Sequence, residues 1–232
     1  MYKFLKELTF PIRRWLYSLR GKIPRGGKYI CVAYDMVGES PDHWPVIPDL
    51  LDEESVVVSV GIGRDISFDK SISRRFGCIV QMFDPTPEAV RYLKEQDLPT
   101  KLHGHEIGLS AFDGTSKFQC SSDDGTMYRI SQESGGEQVE LEVRRLGTIM
   151  KLLGHDRVDL LKIDIEGAEY EVIEEITRNG PLPRQLLVEY HHRFFDRGVD
   201  KTNQSIKMLM SVGYQVFYTS RYRQEFGLIL TK

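Results

Sequence analysis

With 232 residues, 41% hydrophobic and 28% charged, the chain has the size and composition of one soluble globular domain with a sizeable core. A net charge of −3 argues against a primary nucleic-acid partner, whose footprint would be basic. Three cysteines, Cys31, Cys78 and Cys120, form neither an even disulfide framework nor a CxxC pair and fit a reducing compartment, so a cytoplasmic location is expected.

No apolar run approaches the ~20 residues needed to span a bilayer. Residues 1–27 nevertheless stand apart as a basic amphipathic arm. Up to Arg25 it holds seven basic side chains against Glu7 alone, interleaved with Phe4, Leu5, Leu8, Trp15, Leu16 and Leu19. Such a segment suits a peripheral membrane contact through residues 1–25, or packing on the domain or on a partner subunit; Pro11 interrupts any single helix. Gly26-Gly27 is the expected hinge to a second unit, residues 28–232.

In that unit, Ile30 to Tyr34 is expected as a short strand and Gly38 to Pro48 as a loop. His43-Trp44 sits in the loop, as a lid over the core or the flank of a cofactor. Val56 to Val60 is an apolar, mostly β-branched run, hence the first sheet strand. Gly61-Ile62-Gly63 follows, and Phe68, Ile72 and Phe76 mark a helical face. A dinucleotide GxGxxG turn would need glycine where Ile66 stands, which counts against a nicotinamide cofactor.

Cys78 to Phe83 is the second strand, closed by Asp84, 21 residues beyond Gly63. An acid at about that distance binds ribose hydroxyls in such folds, whichever nucleoside carries them. Thr86 caps a helix with Pro87 in its first turn, running to about Gln96. Lys101 to Ser110 is expected as the third strand; a metal at His103 and His105 lacks a third ligand at a typical spacing. Ala111 to Arg145 reads as strands and loop, either a substrate lid presenting Tyr128 and Arg129 or a loop without contacts.

Leu146 to Leu153 is a short helix ended by Gly154. The run VDLLKIDIEGAEYEVIEEI, residues 158–176, then changes period from buried strand to helix. Asp164 closes that strand and should reach the crevice; Glu166 and Glu169 also satisfy a helix N-terminus. Gln185 to Tyr190 is the next buried strand, with His191 and His192 at its end. Thr202 to Val212 forms a helix, and Val216 to Thr219 with Phe226 to Leu230 a closing hairpin.

The strings LLKIDIEGAEYEVI, VVVSVGIGRDISFD and FDPTP, in this order, resemble the FkbM-type methyltransferases, in their methyltransferase-like subgroup. The resemblance covers about residues 30–232 and implies an α/β, doubly wound Rossmann-like class I fold. Its sheet would have seven mostly parallel strands ending in an antiparallel hairpin. It implies S-adenosyl-L-methionine as cofactor and O-methyl transfer to a hydroxyl of a glycan or other small molecule. Gly61, Gly63, Asp65, Asp84, Gly108, Leu109 and Asp164 would bind the cofactor, with Asp65 receiving the methionine amino group and the Gly108 segment lining the adenine. The residues alone name two bases for the acceptor proton: His191 first, since imidazole titrates near neutrality, and Asp164 second. An NAD-dependent oxidoreductase on a similar sheet and a catalytically silent membrane- or partner-binding scaffold are the rival readings.

Overall fold

The computed structural model describes residues 23–40, 43–120, 128–130, 138–192 and 198–231. The basic arm falls almost wholly outside them. Strands β1 (Asp35–Val37) and β2 (Trp44–Val46) form a small antiparallel pair, followed by a 3-10 turn at Pro48–Leu50. The expected strand at Ile30 to Tyr34 is therefore absent and the expected loop holds one instead. The chain there pairs with the main sheet at residues 28–30, where Val216 N donates to Lys28 O and Ile30 N to Val216 O, and further on meets it through the Tyr34 ring on Phe217 and Tyr218. A register shift between Val216 and Tyr218 breaks the edge along which pairing would have continued.

Strand β3 (Val56–Val60) leads through the glycine turn into helix α1 (Ser67–Phe76), closed by Gly77 in the left-handed conformation. Strand β4 (Ile79–Phe83) is followed by α2 (Pro87–Lys94), whose first turn is capped by the Thr86 hydroxyl accepting from Ala89 N. Strand β5 (Leu102–His105) is shorter than expected, because Gly108–Leu109 leaves the sheet as a separate strand, β6. With β7 (Gly114–Cys120), β8 (Tyr128–Ile130) and β9 (Gln138–Arg144) it makes a four-stranded sheet ordered β6-β9-β7-β8. Helix α3 (Leu146–Leu153), strand β10 (Leu160–Ile163), helix α4 (Glu169–Asn179), strand β11 (Gln185–Glu189) and helix α5 (Gly198–Ser211) follow. Strands β12 (Tyr214–Thr219) and β13 (Glu225–Leu230) complete the chain.

The main sheet runs β12-β13-β11-β10-β3-β4-β5, parallel from β11 to β5, with β13 antiparallel to both its neighbours. Its side chains alternate between two cores. Val58, Val60, Leu161 and Ile163 meet Ile149, Ile173 and Ile206 of α3, α4 and α5 on one face. Val57 and Leu160 meet Phe68 and Ile72 of α1, with Trp44, on the other. Helices on both faces make the sheet doubly wound, as expected. Strand order runs outward from β3 to β5 and then returns to β10 and β11. The switch between β3 and β10 is where such sheets open a ligand crevice beyond their strand ends. Among the described residues no helix is long and apolar enough to cross a membrane.

Candidate functional site

A cavity of about 650 Å³ opens at this switch, beyond the ends of β3, β4, β10 and β11. Its floor is the turn after β3. Gly61 and Gly63 have φ of +75° and +51°, and a Cβ on Gly61 would lie 1.5 Å from the Asp164 carbonyl oxygen. Only glycine lets the β3 turn pass that close to the end of β10. At Gly63 a Cβ would meet nothing within 4 Å, leaving backbone open to the cavity it lines.

Asp84, at the end of β4, is buried and braces this turn. Its Oδ2 accepts from Gly63 N at 3.0 Å, while Oδ1 accepts from Thr86 N at 2.9 Å and Thr86 Oγ1 at 2.6 Å. Oδ1 is filled by its two bonds while Oδ2 keeps a lone pair, so the carboxylate can brace the loop and take a ligand hydroxyl together. Gly108 and Leu109 line the same lobe from β6. Asp65 also lines the cavity, but its carboxylate accepts from Ser67 N at 2.7 Å and Ser67 Oγ at 3.1 Å, which starts helix α1.

Opposite lies an acidic rim: Asp164 and Glu166 after β10, Glu189 at the end of β11, and Glu225 of β13, with Ser220 and Arg221 from the hairpin. Burial pushes the Glu189 carboxyl well above the ordinary range, and the charge of Asp164 adds to it. Sequence reasoning passed over Glu189; its place as the last residue of a buried strand was the available signal. Behind the rim sits Glu169, fully buried. Its Oε2 accepts from Gly167 N and its Oε1 from His191 N, both at 2.7 Å.

His191 is among these acids and not among the residues lining the cavity. Its Nδ1 lies 3.5 Å from Glu169 Oε1, and Nε2 lies 3.5 Å from Glu166 Oε2 and 3.8 Å from Asp164 Oδ1. Burial alone would lower its pKa, but the bond to Glu169 and the charges of Glu169, Asp164 and Glu166 outweigh it and hold the ring at about 9. At neutral pH it is an imidazolium, which has no lone pair to accept a proton. Donor atoms of Asp164, Glu166 and His191 lie within 4.8 Å of one another, and the imidazolium is itself the cation of that group.

The other histidines are engaged elsewhere. His103 Nε2 bonds Thr100 O at 3.0 Å; His105 pairs with Gln81 Oε1 at 2.7 Å and stacks on Phe83 at 4.4 Å. The side chains of Tyr128 and Arg129, and the loop 131–137, lie outside what is described. Trp44 is buried and lines the cavity, with Lys162 Nζ 5.1 Å from its ring centroid.

The human and rat proteins described as "Probable methyltransferase-like protein 24" are 25% and 24% identical to the chain over 153 residues. Those matches cover 65% of this chain and 36% of each relative, so the chain spans about a third of their length. The crystal structure of methyltransferase FkbM from Methylobacillus flagellatus superposes with a TM-score of 0.46 at 15% identity, over 77% of this chain and 44% of that one. The Methanococcus jannaschii fibrillarin pre-rRNA processing protein does so with 0.49 at 11% identity, over 77% and 67%. Residues 52–216, from the approach to β3 as far as β12, match the family described as the methyltransferase FkbM domain, and the chain belongs to that family.

Proposed function

We propose that the chain is an S-adenosylmethionine-dependent O-methyltransferase whose acceptor is a hydroxyl of a glycan or other small molecule, working in the cytoplasm. The observation that carries this reading is the cavity at the β3/β10 switch, walled on one side by the glycine turn with Asp84 and on the other by carboxylates. The residues fit the cofactor: Gly63 leaves its backbone open, Asp84 Oδ2 retains acceptor capacity for a ribose hydroxyl, and Gly108 and Leu109 offer a buried wall for adenine. When bound, the cofactor supplies a methyl group made electrophilic by its sulfonium.

The chain's own work is then binding, alignment and handling one proton. Alignment alone offsets several kcal/mol of barrier, on the order of 7 or more in favourable cases. Asp164, Glu189 and Glu225 are acceptors for the hydroxyls of a polyol, and Arg221 and Ser220 are donors. Glu189, with its proton affinity raised by burial, is better matched to an alcohol proton than an ordinary carboxylate. Asp164 shares that edge, and the imidazolium of His191 holds it in place from behind. Residues 1–25 add a peripheral membrane contact to the proposal.

Incubation with S-adenosylmethionine and a panel of sugars and glycans, read as S-adenosylhomocysteine formed, tests the reading. Turnover of none of them, in a protein that binds the cofactor, would remove the hydroxyl acceptor from it. Asp84→Ala should weaken S-adenosylhomocysteine binding by about 1–3 kcal/mol, since it removes a charged acceptor and unbraces Gly63. Unchanged affinity would place the ribose elsewhere.

A further inference from the structure

The basic arm joins the body of the protein at a fixed place. Residues 1–22 carry six basic side chains against Glu7, interleaved with large apolar ones, and lead into Ile23, which is buried. From there the main chain is strapped down. Arg223 Nη1 donates to Pro24 O at 2.7 Å and to Arg25 O at 2.8 Å, while Arg25 N donates to Asn203 Oδ1 at 2.8 Å. The Gly26-Gly27 pair, expected as a hinge, is packed instead. A Cβ on Gly27 would meet Met210, Ile206 and Val216 at 2.9–3.2 Å.

The strap is also part of the cavity's edge. Arg223 lies in the turn between β12 and β13 with φ of +56°, a conformation a residue with a side chain keeps only where its surroundings impose it. Its N–H closes the turn on Ser220 O, and its guanidinium holds the root of the arm. Ser220, Arg221 and Glu225, from the same hairpin, line the cavity. Asn203 stands in the first half of α5, the helix that follows β11, so it too lies at the end of the sheet where the cavity opens. The arm is therefore tied to the mouth of the site.

Charge says what such a face would meet. The whole chain is at −3, so the body without the arm is more acidic still, and an anionic surface repels it. Arg25, Lys28 and Arg221, all exposed, carry the positive charge of the arm onto the mouth. Basic side chains interleaved with apolar ones supply the two contributions that hold a segment at a lipid interface, charge attraction and buried apolar area. A nucleic acid would answer the charge and leave the apolar side chains without a partner.

We propose that this face docks on an anionic bilayer with the mouth of the cavity turned towards the lipid, so that the site opens onto the membrane surface. This rests on the membrane contact proposed above and adds its orientation, which the strap at Arg223 and Asn203 fixes. It does not depend on the identity of the cofactor.

Co-sedimentation of the full chain with vesicles of phosphatidylcholine and phosphatidylglycerol tests it. The unmodified chain should bind these vesicles, less so as salt rises, and should not bind phosphatidylcholine alone. Arg13→Glu with Arg14→Glu should weaken binding by about tenfold or more. Arg25→Glu and Arg221→Glu, at the mouth, should each weaken it by about fivefold or more. Lys151→Glu, exposed on the last turn of α3 at the opposite end of the sheet, should stay within about twofold. Thermal midpoints matching the unmodified chain show that the variants are folded. Equal losses at the mouth and at Lys151, or no loss at the mouth, would overturn the orientation. Failure of the unmodified chain to sediment with the anionic vesicles would overturn the docking itself, and dimers in light scattering would then assign the arm to a second copy of the chain. The cofactor reading is tested separately, by S-adenosylhomocysteine binding without lipid.

Discussion

Gly61→Ala is expected to be the most damaging single methyl group that can be added to this chain. Its φ of +75° already costs a residue with a side chain about 1–3 kcal/mol. The larger part is steric. A Cβ 1.5 Å from the Asp164 carbonyl cannot be accommodated unless β3 and β10 part at the switch point. Because that neighbour is backbone at the end of a central strand, the strain has no flexible side chain to dissipate it. A total loss of about 4 kcal/mol or more follows, read as a fall in urea midpoint at constant slope. Gly63→Ala is the control. Its φ of +51° is similarly unfavourable, but open space awaits the methyl, so it should cost about 1–2 kcal/mol and instead obstruct ligand binding. Equal losses for the two variants would show that close approach at Gly61 is unimportant.

The second large effect is expected at Glu169. Its two oxygens hold Gly167 N and His191 N, and one faces the His191 ring, so Glu169→Ala removes the brace of the turn and strands a buried imidazolium. Breaking such a pair costs about 3–5 kcal/mol. The pairing also sets a pH dependence. The folded-state pKa of His191, about 9, exceeds its unfolded value of about 6.5. The charged ring therefore binds its proton more tightly when folded. That stability, on the order of 3 kcal/mol, is fully present below pH ~6.5 and is lost as pH rises through about 9. Glu189 acts in the same direction: with its carboxyl raised by burial, ionising it above the ordinary carboxylate range opposes folding. Urea midpoints should fall between pH 6 and 9.5, and His191→Gln should flatten about half of that fall, the share of Glu189 remaining. A midpoint that rises over this interval would contradict the ion-paired cluster.

The sheet was legible because buried parallel strands leave little ambiguity. Val56 to Val60, Leu160 to Ile163 and Gln185 to Glu189 are short apolar runs followed by helical periodicity, and all three are where they were expected. The glycine turn and Asp84 were legible for the same reason, since strand ends fix what faces the crevice. Trp44–Val46 was hidden by Pro45 and its polar neighbours; a proline is tolerated there because the pair is only two strands wide. Gly108–Leu109 was hidden because two residues cannot announce which sheet they join.

Side-chain partnership was the least legible layer. His191 was expected as a neutral base on the strength of its strand-end position. Nothing in its neighbourhood along the chain says that Glu169, 22 residues earlier, turns back to meet it. Asp69 is one polar residue of an amphipathic helix in the sequence, and its burial beside the cavity shows only in the packed structure. Glu189 differs from both: its position was legible, and only its raised proton affinity needed the packed structure.

The most direct test of the account is calorimetric titration of the chain with S-adenosylhomocysteine and, separately, with NADH. The account predicts saturable one-to-one binding of S-adenosylhomocysteine, weakened in Asp84→Ala, and no binding of NADH at the same concentrations. Binding of NADH with no response to S-adenosylhomocysteine would contradict it.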